Sequence, residues 1–512
     1  MRNLRTTTLL ALLFAGATCG AIDPADDILL RWTFGPGDPG LDPKHVALLR
    51  EGGVTVVLVS WPDNQATVEF ARACRSSGVR TIAELKPATS LAVARRAAAS
   101  AREAGFTGLA LEADGIFSDE KSLRAFLAEQ AGVDLLVYLK PAKIRWRVAP
   151  AQAVLRAGQW PGVRSGPSLS GEDTEVASAS REPWVDANSY LVAYLRGIFS
   201  ERPAWLGYRP DREAGIARGR AVPYETLELA LVEAFAAGGN FVLTMEEAYR
   251  TALVAGDPRA SAAWRSLGET SRFLRQHADL FRRASRARVA AVAGTLEQSG
   301  ELLNLMYRRN LCPLVISSEA VPALDPRRFR AVVAANIPPP AGANLSRILD
   351  YARAGGLLIT APAAGARRGW WLVPEAAKIR SDPDRDFYAL GKGRIIAYHD
   401  PIADPSEFAL DVIDAAGVRT RDLRLWNAGA VVGLAAEDPG AGKTYVTLIN
   451  YAGPRDDDFP LRVEGIFQRA AMLEPQAAGP RELKAVKRGS ATEITVDRLG
   501  RCGLIVLEKS VK

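Results

Sequence analysis

The sequence predicts an α/β chain in three parts: an N-terminal (β/α)8 barrel of the TIM type, a smaller open α/β domain, and a C-terminal antiparallel β-sandwich. Three observations predict it. Short β-rich runs alternate with helical patterns eight times between residues 28 and 250, the rhythm of parallel strands joined by crossover helices. A second, shorter alternation occupies residues 286 to 418, and the last stretch turns to β-rich runs separated by Gly, Pro and Asp turns. With 512 residues and 48% hydrophobic composition, the chain can bury several cores.

In chain order, Arg2 and Arg5 precede an uncharged run from Leu9 to Ala17 and small residues through Ala21, before Asp23, Asp26 and Asp27. This reads as a signal peptide over residues 1–21, cut after Ala21, and so as an exported protein of the periplasm or the extracellular space. Lipidation at Cys19 is the weaker alternative, because Thr18 precedes it. The apolar run is too short to span a membrane, which takes roughly 20 residues. Cys74, Cys312 and Cys502 fall in three different candidate domains with neither zinc spacing nor a disulfide framework, so they read as buried thiols. Net charge is +7, and without Arg2 and Arg5 there remain 63 basic against 58 acidic residues. The arginines are scattered, so no nucleic-acid arm is expected.

The barrel is expected over residues 22–260, with strands at Ile28 to Phe34, Val54 to Trp61, Thr81 to Lys86, Leu109 to Asp114, Leu135 to Lys140, a weak sixth at Gly162 to Ser165, Trp205 to Tyr208, and Phe241 to Glu246. No G-x-G-x-x-G follows the first strand, which argues against a dinucleotide site. Residues 261–285 form a connecting amphipathic helix, with Trp264, Leu267, Leu274, His277 and Phe281 on one stripe; His277 reads as a packed residue.

Residues 286–420 read as an open α/β domain resembling the flavodoxin or amidotransferase fold. Its expected strands are Val289 to Val292, Pro313 to Ser317, Ala331 to Ile337, Leu357 to Ala361 and Arg394 to Tyr398. It has no G-x-C-x-G elbow and no P-loop. Residues 421–512 form the β-sandwich, with runs at Thr444 to Asn450, Leu461 to Val463, Glu493 to Val496 and Leu504 to Leu507.

Two stretches carry a resemblance. Tyr351-Ala352-Arg353-Ala354-Gly355-Gly356-Leu357-Leu358 with Gly391-Lys392-Gly393-Arg394 resembles the trimerisation-type domain that follows the barrel in bacterial β-galactosidases and related glycosyl hydrolases. Leu448-Ile449-Asn450-Tyr451, Met472-Leu473-Glu474-Pro475 and Thr492-Glu493-Ile494 are similar to the C-terminal β-domain of the same group. The resemblance implies the three-domain architecture, a carbohydrate substrate and a homotrimer or other homo-oligomer. It also implies an Asn-Glu pair ending strand four and a glutamate ending strand seven. Here strand four ends Leu111-Glu112-Ala113-Asp114 without the asparagine, and strand seven ends Gly207-Tyr208-Arg209-Pro210 without a carboxylate.

Glycosidic cleavage needs two carboxyl groups in different protonation states, placed in a barrel at the C-terminal strand ends. Strand alternation puts Glu112 and Asp114 on the pore side, as catalytic groups or as ion-pair partners of Lys86 or Lys140. A second cluster runs Arg181-Glu182-Pro183-Trp184-Val185-Asp186-Ala187-Asn188-Ser189-Tyr190, where Glu182 and Asp186 are carboxylate candidates and Trp184, with Tyr190, a stacking surface; Asp186 reads equally as a helix cap. Glu246 ends the eighth strand, as a catalytic group or a rim ion pair. Trp32, Trp61, Trp160, Arg164 and Tyr208 are candidate substrate-binding residues, and Asp63, Glu84, Lys140 and Arg209 further mouth candidates. With three histidines and no H-E-x-x-H, a metal site is not expected, nor any cofactor; a G-x-S-x-G elbow is missing too. The expected function is therefore a secreted glycoside hydrolase using a carboxylate pair, or an inactive relative whose barrel binds glycan or serves assembly.

Overall fold

The computed structural model describes residues 22–33, 39–61, 65–162, 187–209, 222–366, 369–417, 421–454 and 456–509. Eight parallel strands close into a barrel: β1 Leu29–Arg31, β2 Val56–Trp61, β3 Arg80–Leu85, β4 Gly108–Glu112, β5 Asp134–Leu139, β6 Gln152–Gly158, β7 Trp205–Tyr208 and β8 Asn240–Thr244. β1 pairs with both β2 and β8, which completes the ring. Around it lie α1 Val46–Glu51, α2 Gln65–Ser76, α3 Leu91–Glu103, α4 Glu120–Ala128, α5 Ser189–Ile198, α6 Thr226–Ala236, α7 Glu247–Val254 and α8 Pro258–Gln276.

Strand parity sorts the two cores. Leu29, Val56, Leu58, Ile82, Ala110, Leu136, Val154, Trp205 and Val242 fill the pore. The alternate residues, among them Leu30, Val57, Val59, Ala83, Leu109, Leu155, Leu206 and Phe241, pack outward on the helices.

The sixth strand corrects the sequence expectation. It is Gln152–Gly158, not Gly162 to Ser165, of which residues 163–165 lie outside the described residues. Alanines and a charged Arg156 interrupt this run, so it lacks the continuous apolar signature of a strand buried on both faces. The charge is tolerated because Arg156 has a carboxylate partner in the pore.

Helix α6 is buried on all sides because β8, α8 and the C-terminal domain cover it. α8 crosses α1 so closely that a Cβ on Gly268 would lie 1.9 Å from the Glu51 carbonyl oxygen. His277 follows α8 half-buried, its ring edge-on to Phe273 at 4.8 Å.

The short α9 Ala278–Phe281 leads to β9 Ala284–Ser285, which joins the edge of the C-terminal sheet before the middle domain begins. The middle domain holds β10 Val289–Ala293, α10 Leu296–Arg308, β11 Leu314–Ser317, β12 Ala331–Ala335, α11 Ala343–Arg353, β13 Leu357–Ala361, β14 Ala377–Ser381, β15 Arg385–Leu390, β16 Gly393–Tyr398 and α12 Pro405–Ala416. Its sheet order is β11-β10-β12-β13-β16-β15-β14. The first five strands are parallel, but β14 and β15 form an antiparallel hairpin in the stretch between β13 and β16, so the sheet is mixed. Gly355 adopts φ 115° just past α11, a conformation that glycine takes without strain.

The C-terminal domain stacks two antiparallel sheets over an apolar core containing Val446, Leu448, Phe459, Leu461, Ile494 and Ile505. One sheet runs β17 Leu423–Leu425, β20 Phe459–Glu464, β24 Ala491–Val496, β23 Ala485–Arg488. The other runs β22 Arg481–Glu482, β21 Arg469–Leu473, β25 Cys502–Glu508, β19 Lys443–Asn450, β18 Val431–Asp438, β9.

Candidate active site at the barrel mouth

Two residues beyond each apolar pore residue, near the C-terminal strand ends, the pore side changes character. Arg31, Ser60, Glu84, Glu112, Tyr138, Arg156, Gly207 and Thr244 occupy these positions on β1 to β8. The charged members form two ion pairs. Arg31 grips Glu84, with its Nε 2.8 Å from Oε2 and 3.1 Å from Oε1, and its Nη1 donates to Thr244 Oγ1 at 3.4 Å. Arg156 pairs with Glu112 and also donates from Nε to the Tyr208 carbonyl at 3.1 Å.

Tyr138 stands between the pairs. The Arg31 and Arg156 guanidinium carbons lie 5.7 and 5.6 Å from its ring centroid, within cation–π range. Its hydroxyl is buried with no hydrogen-bond partner, and burial together with the Glu84 charge raises its pKa well above that of an ordinary tyrosine. Burial likewise raises the proton affinity of Glu112, and Arg156 only partly opposes this. Arg31 is held charged by Glu84 against the cost of burial.

The other sequence candidates divide clearly. Asp114 lies just past β4, paired with Lys143 Nζ at 2.7 Å and Lys140 Nζ at 3.8 Å. Glu246 caps α7, accepting from the amides of Ala248 at 2.9 Å and Tyr249 at 3.4 Å, so its carboxylate serves the helix end. Glu182, Asp186, Arg164 and Trp184 lie outside the described residues, as does Asp63.

Four aromatic candidates are corrected, three by parity and Trp160 by a register shift in β6. Trp32 is fully buried, donates its indole N–H to the Gly40 carbonyl and stacks on Phe70 of α2. Trp61 points outward, donating to the Ala97 carbonyl and Ser100 Oγ of α3. Trp160 and Tyr208 stack on each other at 4.1 Å in the layer between strands and helices, both buried. None of the four offers a ring face to the pore: Trp32, Trp61 and Tyr208 lie on or continue the outward parity of their strands, while Trp160, which has pore parity by count from Val154 and Arg156, follows a register shift between Arg156 and Gly158 and packs in the outer layer.

Arg31, Tyr138 and Arg156 were missed. A signal for Arg31 and Tyr138 existed: each lies two residues after a pore-facing leucine, Leu29 or Leu136. Arg156 was hidden by the misplaced sixth strand. Among the described residues no group of three His, Cys, Asp or Glu side chains could hold a metal ion. Nor is any described helix long and apolar enough to cross a membrane.

A cavity of about 210 Å³ opens away from the mouth, where the three domains meet, lined by Arg196, Tyr307, Cys312, Arg421 and Asp422 among others. Lacking a carboxylate pair, it is a poorer seat for glycosidic chemistry than the pore.

The chain matches no family model and no curated protein. Solved structures do match in fold. The β-galactosidase from Bacillus circulans sp. alkalophilus superposes with a TM-score of 0.58 at 10% identity, covering 94% of this chain and 99% of that one. The β-galactosidase from Rahnella sp. R3 gives 0.58 at 10% identity, over 94% and 98%. An α-L-fucosidase isoenzyme 2 from Paenibacillus thiaminolyticus gives 0.56 at 10% identity, over 94% and 99%. The chain therefore has the fold of these structures over nearly its whole described length. At this identity the likeness is one of architecture.

Proposed function

We propose that the protein is an exported glycoside hydrolase acting on an oligosaccharide at the C-terminal mouth of its barrel, with Glu112 as the proton donor. The observation that carries the reading is Glu112 itself: a carboxylate at the end of β4, turned into the pore, whose proton affinity is raised by burial. A group that must protonate a departing sugar oxygen near neutral pH needs this environment. Glu84, on β3 next to β4 and hydrogen-bonded by both Nε and Nη2 of Arg31, is the second carboxylate of the same layer. The three-domain fold shared with β-galactosidases and a fucosidase supports a sugar substrate.

One observation favours a second reading, a barrel that binds glycan without cleaving it. β7 brings no carboxylate to the mouth, and both described pore carboxylates are engaged by arginine.

Hydrolysis of a panel of aryl glycosides and plant oligosaccharides by the mature chain separates the two. Turnover that falls about 10²- to 10⁴-fold in Glu112→Gln, with Glu84→Gln also impaired, supports the hydrolase. An inactive chain that still binds oligosaccharide supports the second reading.

A further inference from the structure

The floor of the barrel, at the N-terminal strand ends, is sealed by residues 22–27. Ile22 is 3% exposed, and its side chain joins Leu29, Val56, Ile82, Leu136 and Trp205 in the pore core. Its carbonyl accepts from Gln152 Nε2 at 2.5 Å, and Gln152 Oε1 in turn accepts the Trp205 indole N–H. The Asp23 amide donates to Asp27 Oδ2 at 2.8 Å, and Asn240 Nδ2 donates to the carbonyls of Pro24 and Asp27 at 2.8 and 2.7 Å.

This anchored segment sits against a charge imbalance. Arg80 pairs with Asp27 and, at 3.5 Å, with Asp134. The Asp134 carboxylate also accepts from the backbone N–H of Ile22. Asp23 has its own cation, Arg282 at 3.1 Å, so among the described residues of this cluster Asp27 and Asp134 face the single guanidinium of Arg80, a net charge of −1. Such a group normally finds a second cation. The sequence supplies the second observation: Cys19-Gly20-Ala21, small residues following the apolar run, directly precede Ile22.

We infer that the chain is cut between Ala21 and Ile22, and that the floor is a pocket built for the α-ammonium group this cut creates, which pairs with Asp134. Water adds across the amide, leaving a carboxylate on Ala21 of the leader and an ammonium on Ile22. The new charge forms where an amide N–H already donates to Asp134, so no rearrangement is needed. Removal of the leader thus completes the floor, and the barrel gains its last ion pair only after processing. The cut rests on the export reading above; the pocket does not.

Two measurements test the parts separately. Amino-terminal sequencing of the exported protein is expected to begin at Ile22; a start at a lipidated Cys19, or at Met1, overturns the cut. Thermal unfolding then compares a full chain freed from a fusion so as to begin at Ile22, the same chain extended by Gly20-Ala21, and Asp134→Asn in both backgrounds. The extension and Asp134→Asn are each expected to lower Tm by at least about 3 °C, and together by no more than the larger single effect. Equal melting of the extended and Ile22-initiated chains, or additive losses, overturns the ion pair even if the cut stands.

Discussion

Glu233 offers the sharpest test of how the domains are joined. It lies on α6, fully buried, where the Tyr451 hydroxyl of the C-terminal domain donates to Oε1 at 2.5 Å. The Asn188 backbone N–H donates to Oε1 at 2.7 Å, and Asn188 Nδ2 to Oε2 at 2.9 Å. Burial pushes its pKa up to about 7, while these donors pull it down. An unfolded glutamate releases its proton near 4.5, so between these values the folded state holds the extra proton. The stability this contributes is complete below pH ~4.5 and is lost as pH rises through about 7, amounting to roughly 3 kcal/mol by pH 8. Tyr451→Phe removes a donor that favours the ionised form. It should cost about 2 kcal/mol at pH 8, where the hydrogen bond meets a carboxylate, and about 1 kcal/mol at pH 5, where the carboxyl is protonated. Urea unfolding of wild type and variant at the two pH values gives the difference. An equal cost at both, or a larger one at pH 5, would refute the assignment of Glu233 as the titrating contact.

Other outcomes follow from the same packing. Arg156→Met strands the Glu112 carboxylate in the pore and should cost about 3 kcal/mol at pH 8, less in acid as Glu112 takes up a proton; an unchanged urea midpoint at pH 8 would count against the ion pair. Glu246→Ala removes the α7 cap and should cost about 1 kcal/mol with no change in sugar turnover or binding, measured by calorimetry and the glycoside panel. Trp160→Ala should lower stability by about 3–5 kcal/mol while the folded protein keeps its affinity for oligosaccharide; lost affinity at unchanged Tm would instead place Trp160 in the mouth. Gly268→Ala drives a methyl into the Glu51 carbonyl and should cost about 1–3 kcal/mol, read as a lower thermal midpoint.

What was legible in the sequence, and what was not, follows one physical line. Strands buried on both faces announce themselves as apolar runs, and seven of the eight barrel strands were found to within a few residues on that signal. β6 escaped because its run is broken by Arg156, a residue that belongs in a strand only if the pore holds its counter-charge. That partner, Glu112, comes from β4, more than forty residues away, and no local pattern expresses the pairing. The aromatic candidates failed for the complementary reason. A tryptophan near a strand end is equally suited to a sugar face or to the groove between strand and helix; its parity relative to the pore decides for Trp32 and Trp61, and the register shift after Arg156 decides for Trp160. Counting from Leu30 to Trp32, or from Val59 to Trp61, places both outside the pore. The same count from Leu29, Ile82, Ala110 and Leu136 leads to Arg31, Glu84, Glu112 and Tyr138. In this barrel, therefore, the residue type nominated too many candidates, and the period-two count from a known pore residue separates the polar layer at the mouth from the walls that support it.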